Sequence, residues 1–238
     1  MLCLIFRNDD LRYNLLEKLL DYKFRNNLLL QEAISHPSLR GNPSFSGKDY
    51  ERLEFLGDAV VNLVIAQILY TKFPDVSEGE LAKMRAYLIS KDFMVQKAKE
   101  LNLGEHIIMA FGEESSGGRE NPNNLENTLE AIIGSIYLDS GLEEVSKFVE
   151  KLWGEIDINT ISESNPKSTL QELLQDKKMP NPTYEVVERE GEVHAPTFKV
   201  MLKIDDEIVE YGYGTTIKAA EKEAANKIIL RFKKKYNG

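Results

Sequence analysis

Glu51, Glu54, Asp58 and Asn62 are spaced i, i+3, i+7 and i+11, so a helix presents them along one narrow face. Most other positions between Arg52 and Tyr70 are apolar, the pattern of a helix buried nearly all round. Acids on such a helix repel one another and lose hydration, at roughly several kcal/mol each unless a counter-charge is supplied. Basic side chains such as Arg52 and Arg85, or a bound cation, can supply it. A second apolar stretch, Leu125 to Leu138, carries Asn127 and Glu130 at i and i+3. Two facing helices with inward carboxylates build a hard-cation site, and oxygen ligands of this kind suit Mg²⁺. The same spacing of acids also marks an ordinary solvated helix face, and periodicity alone leaves both alternatives open.

The chemistry depends on bringing the two stretches together. Gly57 and Gly134 sit inside them, where Gly costs about 1 kcal/mol relative to Ala. A close helix–helix approach justifies that cost and joins the two polar stripes. The rest of the first part is also helical in period: Leu11 to Tyr22, Leu28 to Ser35, Asp49 to Phe73, Asp92 to Leu101 and Leu142 to Gly154. Ser77 with Glu80 forms a capping box for a further helix, and Gly41 to Lys48 and Gly112 to Asn124 read as loops. After the polar stretch Asp157 to Asn165 the period changes. A helix over Ser168 to Asp176 precedes strands at Thr183 to Arg189, Thr197 to Ile204 and Glu207 to Tyr213, and a long helix from Thr216 to Phe232 follows. The expected fold is an all-α domain over 1–156, a linker over 157–165 and a small α+β domain of order α-β-β-β-α over 166–238.

The chain has 238 residues and a net charge of −9, which at first sight argues against nucleic acid. The total is uneven: residues 1–164 carry 17 basic and 27 acidic side chains (−10), and residues 165–238 carry 13 and 12 (+1). A lone cysteine, Cys3, excludes an intramolecular disulfide framework and fits a reducing, cytoplasmic setting. The apolar run Met1 to Phe6 is too short for a signal-peptide core, and the absence of about 18 consecutive apolar residues argues against a membrane span.

The segments ERLEFLGD (Glu51–Asp58), SEGELAKMRAYLIS (Ser77–Ser90) and LENTLEAIIGSIYLDSG (Leu125–Gly141) resemble, in order and spacing, those of the ribonuclease III family. The resemblance runs from about residue 10 to about residue 235. It implies Mg²⁺-dependent hydrolysis of double-stranded RNA, with Mn²⁺ as a substitute, leaving 5′-phosphate and 3′-hydroxyl ends. It also implies a homodimer, each protomer cutting one strand, and roles in processing ribosomal and other RNA. By resemblance, Glu54, Asp58, Asn127 and Glu130 fall on metal positions, with Asp58 and Glu130 catalytic. Glu51 falls on the first signature acid and Glu78 on a supporting acid. The family usually has aspartate where this chain has Asn127. The swap removes one charge and leaves a weaker neutral oxygen donor. Asn127 is compatible with a native enzyme that needs more Mg²⁺, with an inactivated sequence, or with a duplex-binding protein that does not cut. The first is favoured because Glu54, Asp58 and Glu130 are intact. The α-β-β-β-α part resembles a double-stranded RNA-binding domain, which reads A-form shape. Gln171 and Glu172 on its first helix, His194 in a turn, and Lys218 and Lys222 on its last helix are the expected RNA contacts, with Lys227, Arg231 and Lys233–Lys235 behind them. Ile217 replaces the first of a usual lysine pair. His36, in a segment shared with the family, is expected to pack rather than react.

Overall fold

The helix ends follow the punctuation of the chain. In the computed structural model, Ser77 caps its helix by accepting the Glu80 N–H at 3.3 Å, and Asn121 caps another by accepting the Asn123 N–H at 3.0 Å, with Pro122 in its first turn. The structure describes residues 3–157, 166–191, 196–205 and 208–236, with side chains from 12 to 232. The chain divides into two compact units, 1–156 and 157–238.

The first unit is helical: α1 (Cys3–Leu20), α2 (Asn27–Ala33), α3 (Glu51–Lys72), α4 (Glu78–Leu88), α5 (Lys91–Glu100), α6 (Leu103–His106), α7 (Phe111–Ser115), α8 (Pro122–Ser140) and α9 (Leu142–Trp153). Helix α8 lies at its centre, with Leu125, Leu129, Ile132, Ile133 and Ile136 all buried. Its largest helix interface is with α3, whose Leu53, Val60, Val61, Val64, Ile65, Ile68 and Leu69 are also buried. At the crossing, a Cβ on Gly57 would lie 1.8 Å from the Glu130 carbonyl oxygen, and one on Gly134 would lie 2.4 Å from that of Leu53. The backbones touch there, as the two mid-helix glycines require.

Two expectations are corrected. Helix α3 is not buried all round: Phe55 is 82 % exposed, Leu63 54 % and Tyr70 77 %. An apolar stripe faces away from the core, which composition alone could not distinguish from a core-facing one. By length and composition α3 is also apolar enough to cross a membrane, although its other face packs in the core. The stretch 112–124 is not one loop. It contains α7, a 3₁₀ turn at Gly118–Glu120 and the start of α8. Arg119 fastens it by donating from Nη1 to the carbonyls of Gly104 at 2.8 Å and Ile107 at 3.2 Å. Turns this short have no period to read.

The second unit comprises α10 (Pro166–Asp176), the antiparallel meander β1 (Thr183–Glu190), β2 (Thr197–Ile204) and β3 (Ile208–Gly214), and α11 (Ile217–Tyr236). Val200 pairs with Val186 on one side and Gly212 on the other. Alternation along β2 buries Val200, Leu202 and Ile204, and a core of Leu170, Leu174, Leu202, Ile204, Ala224, Ala225, Ile228 and Ile229 joins sheet and helices.

Gly57→Ala should overpack the α3–α8 crossing. The expected cost is on the order of 1–3 kcal/mol in urea unfolding, and a midpoint unchanged from the parent would show that the helices can separate freely.

Candidate active site

The α3–α8 crossing places the polar stripes on opposite walls of one cleft of about 600 Å³. Glu51, Glu54 and Asp58 come from α3, Asn127 and Glu130 from α8, and His36, Pro37, Tyr50 and Phe55 complete the lining. Because Gly57 abuts the Glu130 carbonyl, the crossing brings Asp58, the next residue along α3, into the same cleft as Glu130.

The cleft is electrostatically unsatisfied. Burial, then the charges of Asp58, Glu126 and Glu54, push the Glu130 carboxyl up to about 8, and Lys91 only partly opposes them. Burial and the charges of Glu51, Glu126 and Asp58 also raise Glu54. Among the described residues, Arg40 and Lys91 supply counter-charge at the edge of the cleft. Arg40, not Arg52 or Arg85, is the ion-pair partner: it holds Asp49 at 2.6 Å and 2.9 Å and also binds Glu51. Lys91 pairs with Glu126 at 3.0 Å. Asp58 is exposed, and Asn62 donates to its Oδ1 at 3.1 Å, so the fourth member of the stripe orients an acid rather than lining the cleft. Glu78 is exposed in the first turn of α4 and is not among the lining residues.

His36 both packs and lines the cleft. Its Nδ1 accepts the Ser38 N–H at 2.9 Å, so the proton sits on Nε2, which donates to Asn124 Oδ1 at 3.2 Å. Asn124 in turn donates to Glu113 Oε1 at 2.9 Å and to the Gly118 carbonyl at 3.0 Å. The imidazole meets the Tyr50 ring edge-on with centroids 5.6 Å apart. Sequence reading missed Tyr50, Phe55, Arg40 and Glu126. Glu126 alone had a signal, as an acid next to Asn127; a tyrosine or phenylalanine beside an acidic stripe carries no period of its own.

The described residues contain no group of three His, Cys, Asp or Glu side chains that forms a metal cage by itself. The donor set nevertheless fits a hard cation in kind. Four carboxylates and an amide oxygen share the cleft, and burial together with the neighbouring acids pushes Glu130 and Glu54 up.

A family model described as "Ribonuclease-III-like" matches residues 26–155, and one described as "Double-stranded RNA binding motif" matches residues 166–231. Ribonuclease 3 of Rickettsia felis is 48 % identical over 220 residues, covering 92 % of this chain and 97 % of the relative. The chain belongs to the ribonuclease III family. Ribonuclease 3 of Rickettsia akari is likewise 48 % identical over 221 residues, spanning 92 % of this chain and 97 % of its own. The solved nuclease domain of ribonuclease III from Campylobacter jejuni is 40 % identical with a TM-score of 0.56, over 60 % of this chain and 97 % of that one. The chain is thus a ribonuclease III family endoribonuclease with a double-stranded RNA-binding domain.

In the RNA-binding unit, Gln171 is exposed and lines a groove of about 480 Å³ with Gln175, Lys178, Met179, Pro180 and Asn181. Glu172 is half-buried, Lys218 is exposed and Lys222 is half-buried. His194 lies outside the described residues, as do the side chains of Lys233–Lys235. Lys227 and Arg231 have work inside the domain: Lys227 donates to the Tyr211 carbonyl at 2.8 Å, and Arg231 pairs with Glu210 at 3.3 Å.

The raised Glu130 carboxyl gives the metal-free protein a definite pH response. Above 4.5 the unfolded chain releases a proton that the folded chain holds until about 8, so folding stability falls as pH rises across that window. Glu130→Gln should raise the melting temperature of the chelator-treated protein by a few degrees (~2–4 °C) at pH 8 and hardly at all at pH 5. Equal shifts at both pH values, read by scanning calorimetry, would falsify this assignment of the buried charge.

Proposed function

We propose that this chain hydrolyses phosphodiester bonds of double-stranded RNA with Mg²⁺, Mn²⁺ serving as a substitute, leaving 5′-phosphate and 3′-hydroxyl ends. Ribosomal and other RNA precursors in the cytoplasm are the proposed substrates. The observation that carries this reading is the cleft itself: Glu54, Asp58, Asn127 and Glu130 from two touching helices, short of positive charge. Glu54, Asp58, Glu130 and the Asn127 amide oxygen would hold the cation. When bound, it supplies charge compensation for the scissile phosphate and lowers the pKa of water. The chain's own residues position the rest. Asn62 orients the Asp58 carboxylate, and Arg40 removes Glu51 from direct competition by binding it at the rim. A shape-reading domain delivers duplex RNA, with Gln171, Glu172, His194, Lys218 and Lys222 as proposed contacts.

A second reading is a duplex-binding protein with impaired or no cleavage, and Asn127 is the observation that favours it. Cleavage of a long RNA duplex over a range of Mg²⁺ separates the two. The parent chain should cut, and Asn127→Asp should lower the Mg²⁺ concentration for half-maximal rate by about tenfold, since a charge that ligates the metal directly is worth at least as much as a contact to one of its ligands. Cutting only after the Asp substitution establishes the second reading.

The unsatisfied apolar stripe of α3 is proposed to meet a second copy of the chain. Phe55, Ala59, Leu63 and Tyr70 lie exposed along one side, and Phe55 also lines the cleft, so a partner seated there adjoins the catalytic acids. A solved Campylobacter jejuni relative, 41 % identical with a TM-score of 0.55, is itself described by a region involved in dimer formation of its nuclease domain. Leu63→Asp should convert a dimer to a monomer in sedimentation at micromolar concentration, and an unchanged sedimentation coefficient would count against this surface.

A further inference from the structure

Helix α8 has a polar face and an apolar one. Asn123, Glu126, Asn127 and Glu130 are spaced i, i+3, i+4 and i+7 and share one face, while Leu125, Leu129, Ile132 and Ile133 are buried on the other. Asn127 and Glu130 of the polar face line the cleft. A cation sits on the same face. Lys91, the first residue of α5, places its Nζ 3.0 Å from Glu126 Oε2 and also donates to Asn123 Oδ1. These two partners stand one and four residues before Asn127. The lysine charge extends to Glu130, where it opposes part of the surrounding acid.

This pairing does little for the fold. The Lys91 side chain remains 45 % exposed, and an ion pair so open to water adds little stability. Glu126 is unfavourable to its neighbours, because its charge acts on both Glu54 and Glu130. What the arrangement does achieve is to hold an ammonium beside the α8 wall of the cleft. Arg40, on the α3 side, is committed differently: its Nε and Nη2 bind Asp49 and Glu51. An ammonium has three donors, and Glu126 and Asn123 take two of those of Lys91. Its flexible four-carbon stem lets the head adjust to a third acceptor. A phosphodiester that reaches Asn127 and Glu130 meets this face of α8. Attack on its phosphorus brings charge onto the non-bridging oxygens, where a positioned cation acts most strongly.

We propose that Lys91 is a further catalytic residue: its ammonium, held beside the α8 wall by Glu126 and Asn123, donates its third N–H to a non-bridging oxygen of the phosphate being cut. Lys91 stays protonated throughout and acts by charge alone. Glu126 is then a positioning residue that aims the lysine. This rests on the duplex-cleavage reading above and adds a protein cation to its site.

The test is single-turnover cleavage of a long RNA duplex at saturating RNA and Mg²⁺ by the full chain and by Lys91→Gln, Lys91→Arg, Glu126→Gln and the Lys91→Gln/Glu126→Gln double variant. Lys91→Gln should slow cleavage about a hundredfold, the scale of losing one donor to a developing oxyanion. Lys91→Arg, which keeps the charge, should recover most of the rate. Glu126→Gln should slow cleavage about fivefold, and the double variant should be no slower than Lys91→Gln. Duplex affinity in chelator should change less than about twofold in every variant, which places the effect in the chemical step. A parental rate for Lys91→Gln overturns the inference, as does no recovery by Lys91→Arg. Equal slowing by Lys91→Gln and Glu126→Gln, with equally lowered melting temperatures, shows that the pair only fastens α5 to α8 and also overturns it. In each of these cases the parent still cuts and the cleavage reading stands. A parent chain that binds duplex but cuts at no Mg²⁺ concentration removes that reading, and the inference with it.

Discussion

Everything in the nuclease unit depends on a backbone contact between two helices. Gly57 and Gly134 allow α3 and α8 to approach until a methyl group on either would collide with a carbonyl oxygen. Helices with larger residues at the crossing stand about 8–10 Å apart, which would widen the cleft and separate its two walls. The crossing therefore does two things at once. It builds the central core through the leucines, isoleucines and valines of both helices, and it forces acids that repel one another into the same space. The apolar burial on one side of each helix is what offsets the repulsion on the other.

The two units meet opposite electrostatic demands. The first concentrates acid, and residues 1–164 carry −10 of the net charge; residues 165–238 come to +1. That small sum conceals a division of labour. Glu223 and Lys227 of α11 bind the Tyr213 N–H and the Tyr211 carbonyl, groups on the edge of β3 that would otherwise be open to another strand. Glu210 and Arg231 pair across the same edge. Charges committed in this way protect the sheet and contribute little to holding phosphate, whereas exposed Lys218 remains available at the start of α11. A count of lysines thus overstates the basic surface offered to RNA.

Much of this was legible in the chain because period and punctuation agreed. The β2 strand runs over the residues its alternation predicts, and Ser77, Gly57 and Gly134 act as their types and positions require. The acidic stripe and its partner on α8 were also readable, since helical spacing fixes which side chains share a face. What could not be read is whatever depends on a choice between equivalent faces or on distant segments. The outward stripe of Phe55, Leu63 and Tyr70 has the same composition as the inward one. Arg40 reaches Glu51 only because a turn after α2 folds back beside α3. Tyr50 and His36 enter the cleft through tertiary bonds to Ser35, Ser38 and Asn124, none of which leaves a periodic trace.

The asparagine at 127 is best understood as a shift in a balance rather than a simple loss. Glu130 is already pushed up to about 8 by burial and by three neighbouring acids. A fourth carboxylate on the same helix, one turn away, would add repulsion of about 1–4 kcal/mol at the effective dielectric of such sites. With aspartate the cleft would bind a cation more tightly but hold itself together less well without one. With asparagine the metal-free fold is relieved of that repulsion, and a bound cation would lose one unit of attraction. The relief carries a geometric condition that aspartate does not impose, since only one end of an amide can face a cation.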